Sequence, residues 1–245
     1  MSLIAGVGVD LRHNLPSRSL NPFLWAYQLQ NSLLWDFALE TRLRARNLSE
    51  ISLDPASLNS LQRTPEGYRL SIHGSQFKNR KSGFFKKDGV YITISWNLDP
   101  RLTRWIDLYL SEARPIFLDG RVGDFFFIQR NIRGVTRIFV KPSHLSLRAV
   151  EMSKAVAFNP ITGSGIRGVE PFGLNAFRDI CATHVLKQGG TWEQAAIMLT
   201  DTVTTVKKHY ADFSPTDHLA QVQHFSRSVR PSDAPRPGVA MAFAA

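Results

Sequence analysis

The punctuation of residues 174–210 constrains the fold most. Apolar positions from Leu174 to Lys187 recur at helical spacing and stop at Gly189-Gly190, where a residue without Cβ can take the left-handed backbone that ends a helix. Thr191 follows at once, with Gln194 three positions on. That is a capping box, in which side chain and backbone satisfy each other's free donors at a helix start. Trp192, Ala195, Ala196 and Leu199 then fall on one helical face, and a third short helix carries Val203, Val206 and Tyr210. Three short helices in close succession predict a mainly helical unit.

Upstream the pattern is mixed. Residues 1–20 read as a loose lead-in, with Pro16 and several serines. Asn21 suits an N-cap and Pro22 a first helical position, so a helix is expected over 21–46. Tyr68–Ile72 and Val90–Ile94 are rich in strand formers. The basic segment Gln76–Gly83 lies between them as a turn. A helix is expected from Pro100 to Ala113, a buried strand at Phe125–Ile128, another strand at Arg137–Lys141 and a helix from Leu145 to Ala157. Asn159–Gly165 reads as a loop. The domain is expected to span 21–213, followed by a Ser-, Pro- and Ala-rich tail over 214–245. The fold class expected is α+β, mainly helical, with a small antiparallel sheet.

Composition narrows the partners. Thirty lysines and arginines against 20 acids give a net charge of +10, which suits either a polyanionic partner or simply a soluble basic protein. The single cysteine, Cys181, excludes an intrachain disulfide and fits a reducing cytoplasm. No apolar run approaches the roughly 20 residues that a membrane span needs, so no membrane is expected. Leu3–Val9 lacks the basic start of a signal peptide.

Breaking a phosphodiester without a metal takes a nucleophile, cations to hold the extra charge and an acid for the leaving oxygen. Arginine binds two phosphate oxygens with its planar fork, lysine can give a proton, and tyrosine can attack. The chain offers Arg44 within Leu43-Arg-Ala-Arg-Asn-Leu48, Lys78 within Phe77-Lys-Asn79, Arg178 within Asn175-Ala-Phe-Arg178, Asp201 after Leu199-Thr200, and Tyr210 nine positions later.

This order resembles the catalytic domain of the tyrosine recombinases, or phage integrases, over roughly residues 20–213. Arg44 matches their first arginine and Lys78 their hairpin lysine. Arg178 matches the arginine of His-x-x-Arg, and Tyr210 the tyrosine after Leu-Gly-His. Asn175 stands where that family has histidine. Thr200 and Asp201 stand in place of the glycine and of the second histidine, which is sometimes tryptophan. The resemblance implies that Tyr210 attacks the scissile phosphate to form a 3′-phosphotyrosyl link, that Arg44 and Arg178 clamp the phosphate, and that Lys78 protonates the 5′ oxygen. It implies no cofactor and no metal, site-specific recombination or integration of DNA, and a tetramer on DNA. Family members usually carry a separate N-terminal DNA-clamping domain, for which this chain has no room, so it is expected to be either a catalytic fragment or a naturally short member.

Other readings stay open beside these. Tyr210, at i+7 from Val203, also reads as a core tyrosine. Arg42 and Arg46 compete with Arg44, and Lys81, Lys86 and Lys87 with Lys78. His184 and His209 flank the motif, either as structural residues or as substitutes for a missing histidine. Arg46, Arg80, Lys81, Lys207 and Lys208 are expected to touch DNA. Asn175 can donate a hydrogen bond to a phosphate but is no base near neutral pH. A carboxylate at 201 repels phosphate unless it pairs with an arginine. The alternative to an active enzyme is therefore a DNA-binding accessory protein that keeps the fold without cutting. Gly6-Val-Gly8 and Gly163-Ser-Gly165 are too short for a nucleotide fingerprint. His218 and His224 lack the companions of a metal site.

Overall fold

The computed structural model describes residues 2–130, 136, 137 and 139–210. Helix α1 (Ser2–His13) leads to the long α2 (Pro22–Thr41) and the short α3 (Ala45–Ser49). Strands β1 (Asn59–Thr64) and β2 (Gly67–His73) precede two short strands, β3 (Lys86–Lys87) and β4 (Val90–Tyr91), and then β5 (Thr93–Asn97). Helix α4 (Thr103–Leu108) runs through a π-helical turn, Tyr109–Ala113, into α5 (Arg114–Leu118). Strands β6 (Gln129–Arg130) and β7 (Thr136–Arg137) form a small ribbon. Helices α6 (Pro142–Ser153), α7 (Leu174–Lys187), α8 (Trp192–Leu199) and α9 (Val203–Tyr210) complete the described chain. The protein is α+β and mainly helical, with a three-stranded antiparallel sheet in the order β1-β2-β5.

Helix α2 is the central post. Asn21 accepts the Leu24 N–H and Pro22 opens the first turn, which leaves fewer free donors at the helix start. Its buried residues run around the helix, Leu29, Leu33, Leu34, Trp35 and Phe37 among them. A helix apolar on all sides belongs in the interior. Gln30, buried in it, donates to the Tyr109 hydroxyl at 2.6 Å, and Tyr109 donates to the Phe126 carbonyl at 2.8 Å. The sheet contributes alternate residues of β2, Tyr68, Leu70 and Ile72, to the same core.

A second, smaller cluster joins α7, α8 and α9 through Ala182, Leu186, Ala195, Ala196, Leu199 and Val206. Helix α7 belongs to both clusters. Leu174 and Phe177 at its start enter the main core, where Phe177 packs edge-on against Trp35 of α2 with centroids 4.7 Å apart. Ala182 and Leu186 at its end enter the small one.

Several sequence expectations need correction. The 1–20 segment is no loose lead-in. Ile4 and Val7 of α1 are buried against α2, and the Trp35 indole donates to the Ile4 carbonyl at 2.8 Å. Gly8 allows that approach, since a Cβ there would collide with the Asp36 carboxylate. The helix expected over 21–46 stops at Thr41. Arg42 takes a left-handed conformation at φ 53°, and the chain is extended at Arg44 before α3 begins. Strand β1 was not expected, and Val90–Ile94 splits between β4 and β5. Phe126–Ile128 are fully buried but form no strand, with only Phe125 bridged to Ser52. An apolar run reports burial more surely than conformation. The helix expected over 100–113 continues to Leu118, and the one over 145–157 runs from Pro142 to Ser153. The 214–245 tail, with His218 and His224, lies outside the described residues.

Candidate active site

The site begins where α2 ends. Arg42 in the left-handed conformation turns the chain and aims its carbonyl at α7, where the Arg178 Nη1 donates to it at 2.7 Å. Phe177, locked against Trp35, fixes the neighbouring Arg178. The extended residue that follows the turn is Arg44, the N-cap of α3. Arg44 therefore sits in a break between helices and not, as expected, inside the end of a long one.

Asp201 meets both arginines. Its Oδ2 accepts from Arg178 Nη2 at 3.2 Å and from Arg44 Nη2 at 3.4 Å. Its Oδ1 accepts from Asn79 Nδ2 at 2.8 Å and from the Thr202 N–H at 2.9 Å. The side chains of Arg178 and Asp201 are only 9% and 5% exposed, whereas that of Arg44 is 36% exposed. Thr200 puts Asp201 in place. It ends α8 in the left-handed region at φ 51°, and the Asp201 N–H then donates back to the Ala196 carbonyl at 2.9 Å. Burial and the nearby Arg44 charge pull the Arg178 pKa down, while Asp201 opposes them.

Tyr210, at the end of α9, donates to Asp179 Oδ1 at 2.6 Å. Burial, and then that carboxylate, hold the phenol above its ordinary value, and Arg178 acts in the opposite sense. Asn175, Arg178 and Asp179 share one face of α7 through their spacing of three and four.

A cavity of about 160 Å³ lies among these groups, lined by Arg44, Asn175, Arg178, Asp179, Asp201 and Tyr210, with His209 and Thr205 at its side. Five of the six expected catalytic residues thus come together from four segments of the chain. Lys78 is not among the lining residues. It is exposed on the loop between β2 and β3, not in a strand, although its neighbour Asn79 reaches Asp201. Phe77 on the other side is buried and stacks on Phe85 at 4.6 Å, which anchors the loop.

Of the surface cations, Arg80, Lys81, Lys207 and Lys208 are exposed, and Arg46 pairs with Glu50 at 2.9 Å. His184 is exposed and does not line the cavity, whereas His209 does. Asp179, Asn79 and the Arg42 carbonyl were not anticipated. Asp179 was open to detection, since it stands one turn after Asn175 on the same helix face.

A larger groove of about 910 Å³ lies between α1, α2 and the start of α4, lined by Arg12, Asp36, Glu40 and Trp105 among others. Burial pushes Glu40 up to about 7. None of the expected site residues lines this groove, and its acids and arginines largely answer one another, so the smaller cavity is the candidate site. Among the described residues, no three His, Cys, Asp or Glu side chains gather as a metal site, and no helix is long and apolar enough to cross a membrane.

No family model and no curated protein matches the chain. Among solved structures it is similar to a crystal structure of XerA recombinase, with a TM-score of 0.48 and 14% sequence identity. The likeness covers 93% of this chain and 63% of that one, so the chain spans less than two thirds of that protein's length.

Proposed function

We propose that the protein binds double-stranded DNA and cuts and rejoins its backbone through a covalent link to Tyr210, in site-specific recombination or integration. One observation carries this reading: Arg44, the Asn175 and Arg178 pair of α7, and Tyr210 of α9, from three separate segments of the chain, line a single cavity. Two guanidiniums beside a phenol are what in-line attack on a phosphodiester requires, because charge builds on the non-bridging oxygens as the phenol oxygen approaches phosphorus. The bond from phosphorus to Tyr210 Oη forms, and the bond to the 5′ oxygen breaks. The phenol proton passes to the Asp179 carboxylate that already accepts its hydrogen bond. Lys78, on its exposed loop, supplies the proton for the 5′ oxygen once DNA draws the loop inward. The surface cations Arg46, Arg80, Lys81, Lys207 and Lys208 hold the flanking phosphates, and copies of the chain assemble as a tetramer on the duplex.

A second reading has its own support. Asp201 already neutralises part of the arginine pair, which suits an accessory DNA-binding protein that no longer cuts. Nicked duplexes of randomised sequence separate the two on a denaturing gel. Strand cleavage leaves end-labelled DNA attached to the protein, and Tyr210→Phe abolishes that band. Salt-sensitive binding with no band from either protein supports the accessory role. A band that persists in Tyr210→Phe overturns Tyr210 as nucleophile.

A further inference from the structure

We infer that the Asp201 carboxylate is a built-in occupant of the anion seat between Arg44 and Arg178, so that an incoming phosphate reaches the guanidiniums only by displacing it. The inference deepens the proposed function and rests on it for the identity of the incoming ligand, a DNA phosphodiester.

Three observations carry it. First, one oxygen of Asp201 receives the Nη2 groups of both arginines, which come from separate elements and converge on a single acceptor. A phosphate clamped by the same pair would set an oxygen at that point. Second, the other oxygen is saturated by Asn79 and by the Thr202 N–H. The carboxylate therefore holds the place an acceptor ligand would take, and it is almost fully buried there. Third, the open cavity adjoins this pair, and Tyr210 stands on its wall. Asp201 is thus next to the space where a scissile group must enter. Counting the two arginines and Asp201 alone, the seat keeps a single net positive charge, and the Asp179 carboxylate lines the adjoining cavity. Without Asp201 the seat would carry two, facing a phosphodiester of charge minus one.

The consequence is selectivity by size. Inorganic phosphate brings nothing to offset the lost contacts of Asp201. A duplex touching the exposed cations on the Lys78 loop and on α9 gains enough elsewhere to drive Asp201 out. Asn79 extends the device, since it ties Asp201 to the loop that carries Lys78. Displacing the carboxylate releases that loop at the moment its lysine is required.

The test is binding of inorganic phosphate to the full chain, followed by phosphorus NMR line broadening, in wild type and in Asp201→Asn. Asparagine keeps the size and one acceptor oxygen but removes the charge. The expected result is phosphate binding tightened by about tenfold or more, from the change of one charge beside the seat. The gain should be lost again in the double variant Asp201→Asn/Arg178→Gln. A role confined to cross-linking the fold predicts a lower melting temperature with unchanged phosphate affinity, and that result overturns the inference. If Asp201→Asn does not fold, Asn79→Ala removes one of the two hydrogen bonds to Asp201 Oδ1 and keeps the charge. It should tighten phosphate about two- to threefold, and no gain in that variant overturns the inference equally. Tighter phosphate binding with no Tyr210-linked DNA from Asp201→Asn leaves the seat in place and removes the strand-cleavage reading.

Discussion

At the residue scale the proposed chemistry turns on the contact between Tyr210 and Asp179. A carboxylate accepting the phenol proton at 2.6 Å stabilises the neutral phenol and raises its pKa, after burial has already done so. Asp179→Asn removes the charge, so the phenol pKa must fall. A difference absorbance titration of tyrosinate, each protein against its Tyr210→Phe counterpart, should show Tyr210 ionising at lower pH in Asp179→Asn. An unchanged or raised midpoint would contradict the assignment. If Asp179 takes the proton during attack, the same variant should lose adduct rate despite its more acidic phenol, by roughly the 10²–10⁴ associated with general-base groups. The grouping at the candidate site was legible in the sequence, since Arg44, Asn175, Arg178, Asp201 and Tyr210 all line one cavity, whereas Lys78 does not. The partner of each was not. A backbone carbonyl from Arg42 and a side chain from Asn79 carry no pattern until the chain is folded.

Element boundaries followed local chemistry where that chemistry was strong. Helix α7 runs over the expected Leu174–Lys187, and Thr191 and Gln194 form the capping box at the start of α8. Helix α1 was missed because Gly6 and Gly8 weaken its propensity, and its support comes from contact with α2. The break after Thr41 was hidden because Leu43 and Leu48 are buried and continue the apolar rhythm across it. Thr200 offers a direct test at this scale. A β-branched residue at φ 51° is strained, and the resembled motif has glycine there. Thr200→Gly relieves a left-handed penalty of about 1–2 kcal/mol, partly offset by the unfolded-state freedom of glycine and the lost packing. A rise of about 2–4 °C in melting temperature is expected. A fall would mean that the Thr200 side chain contributes more than its backbone costs.

For the whole molecule, the basic balance of 30 cations to 20 acids was legible at once, and its placement was not. The folded chain exposes Lys207 and Lys208 on the helix that ends in Tyr210. If both contact phosphates, Lys207→Ala/Lys208→Ala should lower the salt dependence of duplex binding by about 2 in the slope of log K against log salt. The same slope in both proteins would place DNA elsewhere on the surface. Helix α7 contributes to both hydrophobic clusters, with Phe177 beside Arg178 in the main core, whereas Val206 and Tyr210 of α9 pack in the smaller one. Arg178 is tied on the other side to the Arg42 carbonyl, next to the Phe177 ring that packs on Trp35.

A covalent bond between Tyr210 and DNA would be read directly by mass spectrometry of the trypsin-digested adduct. Wild type and Asp201→Asn are each incubated with the randomised nicked duplexes, treated with nuclease and digested. A residual nucleotide mass is expected on the peptide that begins at His209, localised to Tyr210, with the larger yield from Asp201→Asn. A nucleotide mass on any other residue, or DNA-bound protein with an unmodified Tyr210 peptide in both proteins, would contradict the Tyr210 link.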